Sequence, residues 1–261
     1  GSSDTHTGAA QNDESKFSSK LGVLSSDAQL RGSEPFGEAE ALLFNALAPQ
    51  AMQKVEGKTY IGGAQPTYGA SGLAGVWAEK NTRADIYAAF RRKETFATSG
   101  PRIRLRFFAG FDLPEDLFAT SEGVTRAYAT AVTMGADLTR TQGQKNTDSV
   151  PQFAMWAQAD ANSAQLQRLQ IIKCWIDASG QTHEEVTDVA CAGGAAINLT
   201  NLRCPDNDAK VNTSDCSHSA SSGDTELRVV WTDPNFNADQ RAFYYARVLE
   251  NPTCRWSTWD A

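Results

Sequence analysis

The chain has 261 residues, 41% hydrophobic and 21% charged, an ordinary balance for one large or two modest globular domains. Its net charge of −7 argues against a nucleic-acid partner, because phosphate binding needs clustered Lys and Arg. No apolar run approaches the roughly 20 residues of a membrane span.

The first eight residues, Gly1-Ser2-Ser3-Asp4-Thr5-His6-Thr7-Gly8, place an Asp and a His two apart. On an extended segment such residues point to the same side. A carboxylate and a neutral imidazole are a common donor pair for Zn, Mn or Fe, so Asp4 and His6 are candidate metal ligands. The same residues also read as an N-terminal tail. Without an initiator Met or a signal peptide, the chain reads as a processed or excised piece.

From Gly8 to about Pro35 the sequence is polar and Ser-rich and reads as loop, with room for a short helical turn. Leu42, Leu43, Ala46 and Leu47 then predict a helix within 36–54, with Glu38 and Glu40 suited to its N-terminus and Pro49 interrupting it. Gly57 to Gly75 is glycine-rich but lacks a Gly-x-Gly-x-x-Gly or Gly-Lys-Ser/Thr motif, so it reads as a loop beside a site rather than a nucleotide cradle. Leu73 to Ala78 reads as a short buried strand. Asn81 or Thr82 caps a helix running to about Lys93, with Asp85 in a capping-box-like position. Glu79 and Arg83 flank that helix start and are candidates to orient substrate; alternatively they form an ion pair four residues apart.

Beyond Pro101 the period changes from that of a helix to that of a strand. Ile103, Leu105 and Phe107 alternate with Arg102, Arg104 and Arg106. Arg102 is a candidate for a phosphate or carboxylate, against the plainer reading as the strand's solvated face. Tyr128, Thr130, Val132 and Met134 read as a strand. Leu169 to Ile176 and Gln181 to Ala190 form a hairpin about the turn Asp177-Ala178-Ser179-Gly180. Leu227, Val229 and Trp231, then Arg241 to Glu250, give two more strands. About seven strands with polar turns suggest an antiparallel β-sandwich. Trp156, Trp175, Trp231, Phe243 and Tyr245 are core candidates rather than a sugar platform, and His183 and His218 read as surface residues.

Of the five cysteines, Cys191, Cys204, Cys216 and Cys254 are disulfide candidates, three of them in a polar stretch with little to bury. Cys174 lies inside the apolar run 171–176 and is the one expected to be left over. The alternative is a cytosolic protein with all five reduced.

Ser3-Asp4-Thr5-His6 resembles the late metal-binding motif of PHP-superfamily metallohydrolases. The stretches Gly75-Val76-Trp77-Ala78-Glu79, Asn81-Thr82-Arg83, Thr95 to Ile103, Trp231-Thr232-Asp233-Pro234, Arg241 to Glu250 and Pro252 to Trp256 resemble one bacterial branch of it, the domain-of-unknown-function 3604 family. The likeness covers essentially the whole chain. It implies an α+β fold: residues 1–100 as the tail of a PHP-like distorted β/α barrel (a strand end and two helices), and residues 101–261 as an antiparallel β-sandwich-like region. It also implies a fragment of a metal-dependent hydrolase of small-molecule phosphoesters or related esters, exported to the periplasm or secreted, with metal-activated water as nucleophile. The remaining ligands would lie in a missing N-terminal segment of the same protein. The alternative is a non-catalytic β-sandwich module that binds carbohydrate or protein and keeps a vestigial metal motif.

Overall fold

The computed structural model describes residues 28–32, 34–62, 72–139, 150–254 and 258–259. Asp4 and His6 lie outside them, as do residues 63–71 of the glycine-rich stretch.

The mass of the protein is two antiparallel sheets packed face to face. Their strands are β5 Arg104–Gly110, β6 Val132–Thr133, β7 Gln152–Gln158, β8 Leu166–Ile176, β9 Thr182–Cys191, β10 Glu226–Thr232 and β11 Ala242–Glu250. One sheet has the order β10-β7-β5-β6 and the other β11-β8-β9. The shared core is built from the inward faces: Phe153, Met155 and Ala157 of β7, Leu169 and Ile171 of β8, Val189 of β9 and Leu227 of β10. The reason is the alternation of side chains along a strand, which gives each sheet one apolar face to bury. Strand β7 lies between β10 and β5 and has apolar residues on both faces, because the outer face of its sheet is also covered. There Phe108 and Ala154 pack beneath Leu113, Leu117, Phe118 and the helix Gly123–Thr130.

The described residues of 28–100 form three α-helices and two small sheets. Helices α1 (Ala28–Arg31) and α2 (Glu38–Leu47) precede the hairpin β1 (Met52–Val55)/β2 (Lys58–Ile61), and α3 (Arg83–Arg91) connects the paired strands β3 (Ala74–Val76) and β4 (Thr95–Ala97). The later helix Gly123–Thr130 is α4. No sheet among the described residues closes into a barrel, and the expected barrel tail is not shown.

The helix start at Thr82 is as the sequence predicts: its hydroxyl accepts from the Asp85 backbone N–H at 3.2 Å. The helix predicted within 36–54 ends at Leu47, just before the interrupting Pro49. Four expectations need correction. Gly57 turns a hairpin with Glu56, both at positive φ, rather than opening a loop. The stretch Leu73 to Ala78 is a three-residue strand and only partly buried. Tyr128 and Thr130 end helix α4 instead of forming a strand; the spacing of Val124, Ala127, Tyr128 and Ala131 fits a helical face over Phe108, and this wins over a period of two. On β11 the register is one residue from that expected. Tyr244, Ala246 and Val248 face the core, while Phe243 and Tyr245 are 62% and 42% exposed.

Two buried polar clusters tie loops to this framework. The Asp188 carboxylate, fully buried on β9, accepts from Gln170 Nε2 at 2.6 Å, Arg168 Nη1 at 3.2 Å and the Cys204 backbone N–H at 2.7 Å. It thereby anchors the loop after β9 to the sheet. At the other end of the three-stranded sheet, Lys173 Nζ donates to Asp233 Oδ2 and to the Asn235 carbonyl, each at 2.7 Å. Tyr244 Oη also donates to Asp233 Oδ2 at 2.7 Å.

Asp233→Ala would leave the Lys173 ammonium buried without a counter-charge and is expected to cost about 3–5 kcal/mol in urea unfolding. Burial first, and then the hydrogen bond to Asp233, push the Tyr244 phenol above its ordinary 10.0. A folded-state value raised in this way gives stability that is full below about pH 10 and declines as pH rises above it. Unfolding measured between about pH 8 and about pH 11 should show this alkaline loss, and Tyr244→Phe should flatten it.

Candidate functional site

A cleft of about 1180 Å³ opens between residues 96–103, the turn 160–163, the end of β11 and the loop bearing His218. Its first wall exists because Gly75 has no side chain. A Cβ there would come within 2.4 Å of the Phe96 ring, so only glycine on β3 lets Phe96 of β4 lie flat against it. From β4 the chain passes Ser99-Gly100-Pro101 and enters β5.

The Asp160 carboxylate fixes the far end of this wall. Its Oδ2 accepts from the Arg102 backbone N–H at 2.7 Å and its Oδ1 from that of Asn162 at 3.0 Å. Across the cleft, Glu250 at the end of β11 accepts from the Ser163 hydroxyl at 2.8 Å and from that of Thr253 at 3.5 Å. Arg247, also lining the cleft, is held by its Nε, which donates to Gln170 Oε1 at 2.7 Å. The disulfide Cys216–Cys254 closes the third side and joins the His218 loop to the segment after β11. A second disulfide, Cys191–Cys204, lies in the loop anchored by Asp188, and Cys174 is free.

The cleft therefore mixes cations (Arg102, Arg247), carboxylates (Asp160, Glu250), an exposed imidazole (His218) and aromatic surface (Phe96, Trp259). That lining suits a polar small molecule. Among the described residues no histidine is hydrogen-bonded to a serine, threonine or cysteine, so no nucleophile–base pair is ready-made there. Nor does any group of three or more His, Cys, Asp or Glu side chains among the described residues have the arrangement to hold a metal ion. No helix among them is long and apolar enough to cross a membrane.

Of the sequence candidates, the cleft gathers Arg102, Cys216 and Cys254. Glu79 and Arg83 lie at the start of α3 and do not line it, and no ion pair joins them. Asp160, Ser163, Arg247 and Glu250 were not candidates. Their positions depend on a turn and a strand end from distant parts of the chain, and no local spacing marks them. His183, expected at the surface, is half-buried: its ring stacks on Trp175 at 5.1 Å and its Nε2 lies 2.7 Å from Asp177 Oδ2.

The two disulfides close loops of different length, with separations of 13 and 38 residues. On chain entropy alone, Cys204→Ser should cost about 3 kcal/mol and Cys254→Ser about 4 kcal/mol in urea unfolding. The larger loss should come from the variant that frees the His218 loop.

Searches among curated proteins and among solved structures return no match. A family profile matches residues 1–261, the whole chain, and the protein therefore belongs to the family described as Protein of unknown function (DUF3604).

Proposed function

We propose that the chain is part of a metal-dependent hydrolase of phosphoesters or related esters, and that the cleft beneath residues 96–103 receives the substrate. One observation carries this reading: segment 95–103, which bears the likeness to a metallohydrolase branch, forms a wall of a built cleft rather than an ordinary connection. In this reading Arg102 and Arg247 give the cleft its attraction for an anionic ester. Asp160 and Glu250 hold opposite walls through the Arg102 amide and the Ser163 hydroxyl.

Asp4 and His6 would be two donors to a divalent ion, Zn, Mn or Fe, and two donors do not complete a site. The remaining donors are assigned to chain upstream of Gly1, as the likeness of Ser3-Asp4-Thr5-His6 to a late metal-binding motif implies. Such an ion supplies a water activated near neutral pH. Two disulfides suit export to the periplasm or beyond.

The test is elemental analysis of the protein carrying whatever chain its gene encodes around these residues, alongside hydrolysis of bis(p-nitrophenyl) phosphate and p-nitrophenyl acetate. Metal should co-purify, and Asp4→Ala and His6→Ala should each lower its content by at least about tenfold and abolish hydrolysis. Residues 1–261 alone should bind metal weakly and show no turnover. Metal content unchanged in both variants, or micromolar metal binding with turnover from 1–261 alone, would refute the proposal.

A further inference from the structure

The outer face of the three-stranded sheet points to a second binding site, away from the cleft. Cross-strand register places Phe243, Cys174 and Glu184 in one row across β11, β8 and β9, with Ile176 and Thr182 in the next row toward the open end. In the other direction the row is Tyr245, Ile172 and Val186. The exposed floor is thus sulfur and aliphatic, Cys174 and Ile176, while Ile172 between the Tyr245 and Val186 positions is itself fully buried. Along its β11 side stand two aromatic rings, Phe243 and Tyr245, 6.4 Å apart and only 21° from parallel. A hollow of about 560 Å³ lies against this surface, bordered by Arg241, Thr182, Glu184 and His183.

These side chains are costly to leave in water. Phe243 is 62% exposed, Ile176 55% and Tyr245 42%, all on one face of one sheet. Scattered apolar residues need no explanation, but a contiguous group with a polar rim marks a binding surface. The rim selects the ligand. It carries one carboxylate, Glu184, and one guanidinium, Arg241, with the Asp177 carboxylate behind His183, so it holds no surplus of positive charge to favour an anion. It does offer both donors and acceptors, with the Thr182 hydroxyl between the two in kind. The His183 imidazole is held in place by its stack on Trp175 and its bond to Asp177. A neutral ligand with a flat C–H face and hydroxyls around its edge meets all of these requirements.

We propose that this face binds a neutral saccharide, with successive pyranose rings stacked on Phe243 and Tyr245 and their hydroxyls bonded to Glu184, Arg241 and Thr182. The site is independent of the proposed hydrolase chemistry, since none of its residues lines the cleft. Loss of one leaves the other standing.

Saturation-transfer NMR and titration calorimetry with cellohexaose and laminarihexaose test it, with a chondroitin sulfate hexasaccharide as the anionic comparison. At least one neutral oligomer should bind below about 1 mM and the sulfated one should not. Phe243→Ala and Tyr245→Ala should each weaken binding by about three- to tenfold, and Phe243→Leu should do the same while keeping apolar area. Because both rings are exposed, the thermal midpoints should hold. No binding of either neutral oligomer at about 10 mM, binding that survives the three substitutions, or preference for the sulfated sugar would overturn the proposal. Self-association of the protein that disappears in Phe243→Ala would also overturn it, by assigning the face to a second copy.

Discussion

The guanidinium of Arg106 joins the two parts of this protein. It lies 3.6 Å above the Trp77 ring and donates to the Tyr128 hydroxyl at 3.1 Å. Trp77 follows β3, Arg106 is on β5 of the sandwich and Tyr128 is on α4, so one cation touches three elements. Around it the contacts are mutual. Trp77 Nε1 donates to the Leu105 carbonyl at 2.8 Å, and Tyr128 donates to Glu94, which is 4% exposed. Burial, then the hydrogen bond from Tyr128 to Glu94 and the charge of Glu94, push the Tyr128 phenol up, with Arg106 opposing; the phenol therefore stays a donor. A stacked arginine of this kind is worth about 0.5–2 kcal/mol, and a lysine, without the planar face, would not replace it.

The cleft depends on this junction. One wall follows directly from β4, which pairs with β3 beside Trp77, while the opposite wall belongs to β11 on the far sheet. If the β3/β4 pair were to swing, Phe96 and residues 97–103 would move relative to Arg247 and Glu250. The Asp188 cluster and the Cys216–Cys254 bridge perform the same service for the other loops. What makes the site is therefore a set of fixed loops on a rigid sandwich, the usual way in which irregular segments acquire a function.

Much of the framework was legible because local signals agreed with tertiary packing. Thr82 and Asp85 announced a helix start, and the turn at Asp177–Gly180 announced the β8/β9 hairpin. Cys174, sitting in an apolar run, was recognisable as the free thiol. Other elements were hidden by competition. Strand β7 shows no alternation, because both faces are buried. The helix α4 looked extended because Tyr128, Thr130 and Val132 alternate, and only the packing of Val124 and Ala127 on the sheet favours the helix. On β11 a run of aromatics, Phe243-Tyr244-Tyr245, supports either register. The choice falls to Tyr244, whose hydroxyl finds Asp233 inside the core. The cleft residues Asp160, Ser163 and Glu250 carried no signal at all, since their meeting is a product of topology.

Arg106 couples the β3/β4 pair to the sandwich, and hydrogen exchange resolves that coupling segment by segment. In Arg106→Met, which keeps the length of the side chain but loses the charge and the planar face, the amides of Trp77 and Thr98, bonded to the Glu94 and Leu73 carbonyls, should exchange at least about tenfold faster. Those of β7 and β8 should hold their protection. Unchanged protection across residues 74–98, or an equal loss throughout β7 and β8, would contradict the account.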